Sequence, residues 1–302
     1  MSKTLYIIGN GFDRAHSMPV CYSCFKHYLE KDNGKKNECV NCIYRTEESC
    51  NRSECYLLSL LNTAIGDKEN WSDFEEALAR LDFTVLGDVR TYMTFDNLID
   101  NFGEQIQEAF HSWINKIVIP PKECHVFDLD LSAHYLTFNY TMTLEQMYDI
   151  APSNIYHIHC STKGQQSKGE KYVFGHSSDI GQIKKSMRGT VGMNGLGDSV
   201  LDEWSIAIER IKKDTFTIKR ELQDKLKNAK LGNPQIKIIG HSFGRADYDY
   251  FEVLRNLFPN AQWIYYYHST DALCEAQNNV NLFMREKGII NVTYEPISNI
   301  RI

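Results

Sequence analysis

The sequence predicts an α/β protein: a Rossmann-like, mostly parallel sheet covered by helices, with a helical insertion and a small Cys-rich, zinc-knuckle-like lobe. Three observations carry this reading. Short runs rich in β-branched and aromatic residues alternate with amphipathic segments, the pattern of βαβ units. Those runs are apolar on both sides of the strand, as a sheet buried on two faces requires. The polar motifs fall where the runs end, which is where open α/β sheets hold their ligands.

Each element follows in order. Leu5–Ile8 is apolar and stops at Gly9-Asn10-Gly11, predicting a buried first strand, a loop and then a helix. After Pro19, residues Cys21, Cys24, Phe25, Tyr28 and Leu29 recur at i, i+3, i+4, i+7 and i+8, which predicts an amphipathic helix with that face inward. Residues 31–55 are polar and cysteine-rich, with too few aliphatic residues for a core of their own, and read as an inserted lobe. Residues 56–121 read as a helical insertion closed by Pro120-Pro121, with Ser72 and Glu75 in capping-box spacing. His134–Asn139 is the next strand, Thr143–Ile150 a helix and Ile155–His159 a strand. Residues 180–232 are charged and mostly helical in pattern. Gln235–Ile239 (strand), Arg245–Leu257 (helix), Gln262–His268 (strand), Asp271–Glu286 (helix) and Thr293–Pro296 (strand) restore the alternation. Residues 1–302 thus form one α/β domain carrying the two insertions.

Composition narrows the partners. Lys and Arg total 33 against 39 Asp and Glu, and the resulting net charge of −6 argues against broad binding to nucleic-acid backbone. The longest apolar runs are strand-sized, so no membrane span is expected. The opening MSKTLYIIGNGF has too short an apolar run for a signal peptide, which predicts a cytoplasmic chain.

Of nine cysteines, six lie between Cys21 and Cys55. In a compartment that keeps thiols reduced, such a cluster favours metal over disulfides. Cys39, Cys42, Cys50 and Cys55 supply two close pairs of thiolates, which a tetrahedral zinc ion can gather into a closed structural site. A rival set of Cys21, Cys24, Cys39 and Cys42 conflicts with the helical phase, which turns Cys21 and Cys24 inward as small hydrophobes.

Four motifs can carry chemistry. Gly9-Asn10-Gly11-Phe12-Asp13 reads as a phosphate cradle or as a tight turn, and the third glycine of a dinucleotide fingerprint is replaced by Arg14. Thr137-Phe138-Asn139-Tyr140-Thr141 places an Asn at a strand end. His157 and His159, two apart on one strand, are expected to point the same way, toward catalysis or a metal. Gly240-His241-Ser242-Phe243-Gly244 has the pattern of a serine nucleophile elbow, but the only later histidine is His268, one strand on.

The strings IIGNGFD, NWSDFEEAL, YLTFNYTMTLEQMY, IYHIHC, FGHS and IIGHSFGRADYDYF, in that order, resemble the AbiH family of bacteriophage abortive-infection proteins, nearly end to end. That family is in turn distantly similar to sirtuin-like domains, which bind NAD on a Rossmann-type sheet. The resemblance implies Asn139 and His159 as catalytic residues. It implies Gly9, Asn10, Gly11, Phe12, Asp13, Gly240, Ser242 and Asp247 on the nucleotide side. Cys160 stands where such domains have a glycine. Trp71, Asp73 and Glu75 either meet the pocket or a partner, or are structural. The implied activity is phage defence by hydrolysis of NAD to nicotinamide and ADP-ribose, with NAD as substrate or ligand, and a phage-derived trigger or a homo-oligomer as partner. The alternatives are a nucleotide sensor without catalysis, and a hydrolase or nuclease built on the serine elbow or on a histidine-held metal.

Overall fold

A computed structural model describes residues 3–31, 106–161, 173, 181, 184–185, 202, 205–206, 208–209 and 212–302. The lobe with Cys39, Cys42, Cys50 and Cys55, the capping box at Ser72 and the residues Trp71, Asp73 and Glu75 lie outside these. The chain divides into two compact units: residues 1–20, 117–173 and 214–302 in one, 21–116 and 174–213 in the other.

The first unit is the α/β body. Its strands are β1 (Thr4–Ile8), β2 (His134–Thr137), β3 (Ile155–His157), β4 (Gln235–Ile239), β5 (Gln262–Tyr267) and β6 (Asn291–Pro296). They lie in the order β3-β2-β1-β4-β5-β6, and every neighbouring pair is parallel. This is the doubly wound arrangement. The strand order reverses between β1 and β4, and the carboxyl ends of the strands beside such a reversal are where sheets of this kind bind their ligands.

Both sheet faces are covered. Leu5, Ile7, Leu136, Ile236, Ile238, Trp263 and Tyr265 point to one side, where they pack with residues of α4 (Thr215–Asn228), α5 (Tyr248–Leu257) and α6 (Thr270–Lys287). Tyr6, Ile8, Tyr135, Ile239, Ile264 and Tyr266 point to the other, against Phe12 of α1 (Asn10–Ala15), against Leu144, Met147 and Tyr148 of α3 (Thr143–Tyr148), and against Phe127 and Leu129. Side chains alternate along a strand, so continuous apolar runs are what a two-sided core demands. Each fully buried aliphatic or aromatic side chain contributes about 1.5–3 kcal/mol.

Helix ends are marked in the sequence. Asp214 accepts the Thr217 N–H at the start of α4, which holds its carboxyl below the usual range, and Ser269 accepts the Ala272 N–H at the start of α6. The predicted helix 245–257 is split: Arg245–Asp247 forms a 3₁₀ turn before α5 begins. Under α1, His16 Nδ1–H donates to the Phe12 carbonyl (2.8 Å) and Nε2 accepts from the Tyr148 hydroxyl (2.7 Å). That hydroxyl in turn accepts the N–H groups of Val126 and Phe127. Burial pushes the His16 pKa down and that of Tyr148 up to about 12.

In the second unit, α2 (Tyr22–Lys31) buries Tyr22, Phe25 and Leu29. Residues 106–114 are helical, and the rings of Phe25, Phe110 and Trp113 meet at 5.2–5.5 Å between centroids. Phe25 and Leu29 lie inward as the spacing predicts, but Tyr22 takes the place expected of the two cysteines. Cys21 precedes the helix, Cys21 and Cys24 are half-buried, and the two are joined by a disulfide instead of lying in the core as thiols.

Candidate functional site

Four strand ends meet beside the reversal point. The loop after β1 is stitched to the loop after β4: Gly9 N–H donates to the Ile239 carbonyl (3.0 Å) and Gly11 N–H to the Gly240 carbonyl (2.7 Å). Gly240 has φ +66, and a Cβ there would stand 2.2 Å from the Phe12 nitrogen. A Cβ on Gly9 would stand 2.5 Å from the Cα of His241. These glycines therefore let two backbones touch. The Phe12 N–H is taken by the Gly9 carbonyl (2.9 Å), and the Phe12 ring is fully buried against Phe127, Tyr148 and His16. The N–H groups of Gly9 and Gly11 bond across to the β4 side and that of Phe12 bonds within its own loop, so all three are taken up inside the protein, and α1 has only six residues.

Asp13 projects from α1 into the protein and is 1% exposed. Thr141 Oγ1 donates to its Oδ2 (2.5 Å), and Thr143 Oγ1 lies 2.9 Å from Thr141 Oγ1. Desolvation raises its pKa to about 6, against the lowering effects of Thr141, Thr143, the Asn139 amide and the charge of His157. Asn139, 5% exposed, follows β2. Its N–H donates to Thr137 Oγ1 (3.1 Å) and its carbonyl accepts from His157 Nδ1 (3.3 Å). Its side chain faces Asp13 closely enough to ease that charge, yet Asn139 Nδ2, Asn139 Oδ1 and Asp13 Oδ1 are all buried without a hydrogen-bond partner. Three such atoms in one place ask for a ligand or a water.

The two strand histidines part company. β3 stops at His157, and the chain then turns, burying Ile158 in the core on one side of the sheet. His157 reaches α3, where its Nε2 lies 2.8 Å from Glu145 Oε1. His159 goes to the α5 side, beside the rings of Phe138, Tyr140 and Tyr250. The expectation that both imidazoles point the same way fails because two-residue alternation holds only while the strand lasts. Cys160, in place of a glycine, nonetheless takes the left-handed conformation that favours one, with φ +67.

After β4, His241 is buried under Phe138, with ring centroids 4.2 Å apart. Its Nδ1 accepts the Phe243 N–H (2.9 Å), which leaves the proton of the neutral ring on Nε2. That Nε2 lies 3.3 Å from Asp247 Oδ2, and Asp247 Oδ1 lies 3.9 Å from His159 Nε2. Asp247 thus stands between two imidazoles. Ser242 is exposed, and among the described residues no hydrogen bond joins its hydroxyl to a histidine.

The structure therefore gathers Asp13 with Asn139, and His159 with Asp247, around the loop junction formed by Gly9, Gly11 and Gly240. It keeps the Phe12 side chain in the core and turns Ser242 outward. Sequence reasoning had Thr141 and His241 within motifs but gave neither a role, and it missed Glu145 as the partner of His157. His241 had a signal, since it stands just past Gly240 at the end of β4, on the same loop that leads to Asp247.

No helix among the described residues is long and apolar enough to cross a membrane. No curated protein and no solved structure matches the chain. Residues 5–267 match the family described as Bacteriophage abortive infection AbiH, a span that includes every strand end of the site. The chain belongs to the AbiH family, and its role lies in abortive infection of bacteriophage.

Proposed function

We propose that this protein serves abortive infection by binding NAD at the carboxyl ends of β1–β4 and hydrolysing it to nicotinamide and ADP-ribose. One observation carries the reading: the fully buried, unpartnered amide of Asn139 beside the unpartnered Oδ1 of Asp13, next to the reversal point of a doubly wound sheet. A ribose diol or a carboxamide offers both donors and acceptors to such a pair. The sirtuin-like resemblance supports the choice of NAD within that class.

In this reaction water attacks the ribose C1′, the bond from C1′ to the pyridinium nitrogen breaks, and nicotinamide leaves as a neutral ring. One proton is released, and no general acid is needed. His159 accepts that proton, a role that positioned bases fill for about 10²–10⁴-fold in rate. Asn139 orients the water and a ribose hydroxyl. Binding at Asp13 and Asn139 replaces the missing partners of buried polar atoms, so affinity and site integrity are linked.

The pyrophosphate would need groups other than the N–H donors of Gly9 and Gly11, which are already bonded within the protein. We assign those glycines, with Gly240, to holding the site together. We also propose a structural zinc ion on Cys39, Cys42, Cys50 and Cys55. Asn139→Ala and His159→Ala test the activity: each abolishes nicotinamide release, and Asn139→Ala also weakens binding. Retained turnover in both variants would contradict the assignment, and binding without turnover in the unaltered protein would make the site a sensor.

A further inference from the structure

We infer that His241 and Asp247 act as a positioning pair for His159, with the Asp247 carboxylate held between the two imidazoles instead of contacting nucleotide. The inference deepens the hydrolase reading and rests on His159 being its base.

The geometry runs outward from the backbone. The Phe243 N–H fixes the His241 tautomer by donating to Nδ1, so the ring presents Nε2–H to Asp247 Oδ2 at 3.3 Å. The Tyr265 hydroxyl donates to the His241 carbonyl, anchoring the same residue from β5. The side chains of His241 and Asp247 are only 5% and 13% exposed. A carboxylate so enclosed needs compensating donors, and His241 supplies one. Its second oxygen faces His159 Nε2 at 3.9 Å, an ion-pair distance longer than a hydrogen bond. Such contacts are often long in a ligand-free site and tighten when ligand binds. The Phe138 ring packs against both imidazoles, at 4.2 Å from His241 and 5.4 Å from His159, and so sets their spacing. A carboxylate in this place orients the base and stabilises the imidazolium formed when His159 takes up a proton.

The test compares Asp247→Asn and His241→Gln with the unaltered protein, after thermal unfolding confirms that each is folded. Turnover at saturating NAD should fall about 10²–10⁴-fold in Asp247→Asn, with NAD affinity by calorimetry changed less than about threefold. A nucleotide contact would do the reverse, weakening affinity while sparing turnover, and would overturn the inference. Imidazole ¹⁵N spectra of the substrate-free protein give a second readout. They should show His241 as the Nε2–H tautomer, and both substitutions should shift the His159 resonances. Unmoved His159 resonances in both folded variants would overturn the inference as well. If NAD is neither bound nor cleaved by the unaltered protein, the hydrolase reading falls and these spectra alone decide the pairing. Should Asp247→Asn fail to fold, His241→Gln carries the same comparison.

Discussion

Replacing Asp13 by Asn should make the protein more stable and less active. Asp13 is almost wholly enclosed, and its pKa rises from 3.8 to about 6 because burial penalises the charged form. The folded state therefore holds this proton more tightly than the unfolded chain does. Stability is greatest below pH 3.8 on this account and declines as pH rises through about 6. A shift of roughly two units at about 1.4 kcal/mol each gives a cost near 3 kcal/mol at neutral pH. Asn is nearly the same shape, can still accept from Thr141, and does not titrate. Urea denaturation at pH 5 and pH 7 should show Asp13→Asn more stable than the unaltered chain at both, by about 1.5 and about 3 kcal/mol. His16 has its pKa lowered by burial, so it loses stability as pH falls through its ordinary value of 6.5; it is present in both proteins and cancels in the difference. A variant that is less stable at pH 7, with a difference that does not change with pH, would refute the reasoning. A destabilising carboxylate that activity needs is the mark of a functional group.

Gly240→Ala should destabilise the protein by about 3 kcal/mol or more, because φ is +66 and the new Cβ would strike the Phe12 nitrogen; a change under about 1 kcal/mol by urea denaturation would contradict the loop junction. Elemental analysis of protein purified without added metal should find close to one zinc per chain, lost in Cys50→Ser and kept in Cys21→Ser. The disulfide between Cys21 and Cys24 withholds those two sulfurs from zinc, so loss in the second variant alone would refute the assignment.

The sheet was legible because its strands are apolar, β-branched or aromatic runs cut off by Gly, Pro and Asn, and all six strands appear where such runs lie. Where the reading slipped, a periodicity was carried past the element that owns it. Counting helical spacing from Cys21, one residue before α2, placed Phe25 and Leu29 inward correctly but added Cys21 and Cys24 to that face and left out Tyr22. Extending β3 to His159 aligned two histidines that a turn at Ile158 separates. The site itself was partly legible through residues at strand ends. The burial of Asp13 was not, because it depends on Thr141, 128 residues away; the tautomer of His241 was not, because it depends on how the turn aims the Phe243 N–H back at its ring, a local geometry that residue spacing alone does not give. The glycines were legible as special positions, but their purpose, contact between two loops, needed the fold.

On the proposed function, Asp13 and Asn139 bind NAD and His159 serves as the base in its cleavage. The most direct test is to titrate NAD into the full chain by calorimetry and follow free nicotinamide in the same sample by chromatography. One site per chain and release of one nicotinamide for each NAD consumed are expected, and in Asn139→Ala no nicotinamide release and weakened binding. Absence of binding to NAD and to ADP-ribose, in protein shown to be folded, would contradict the proposed function.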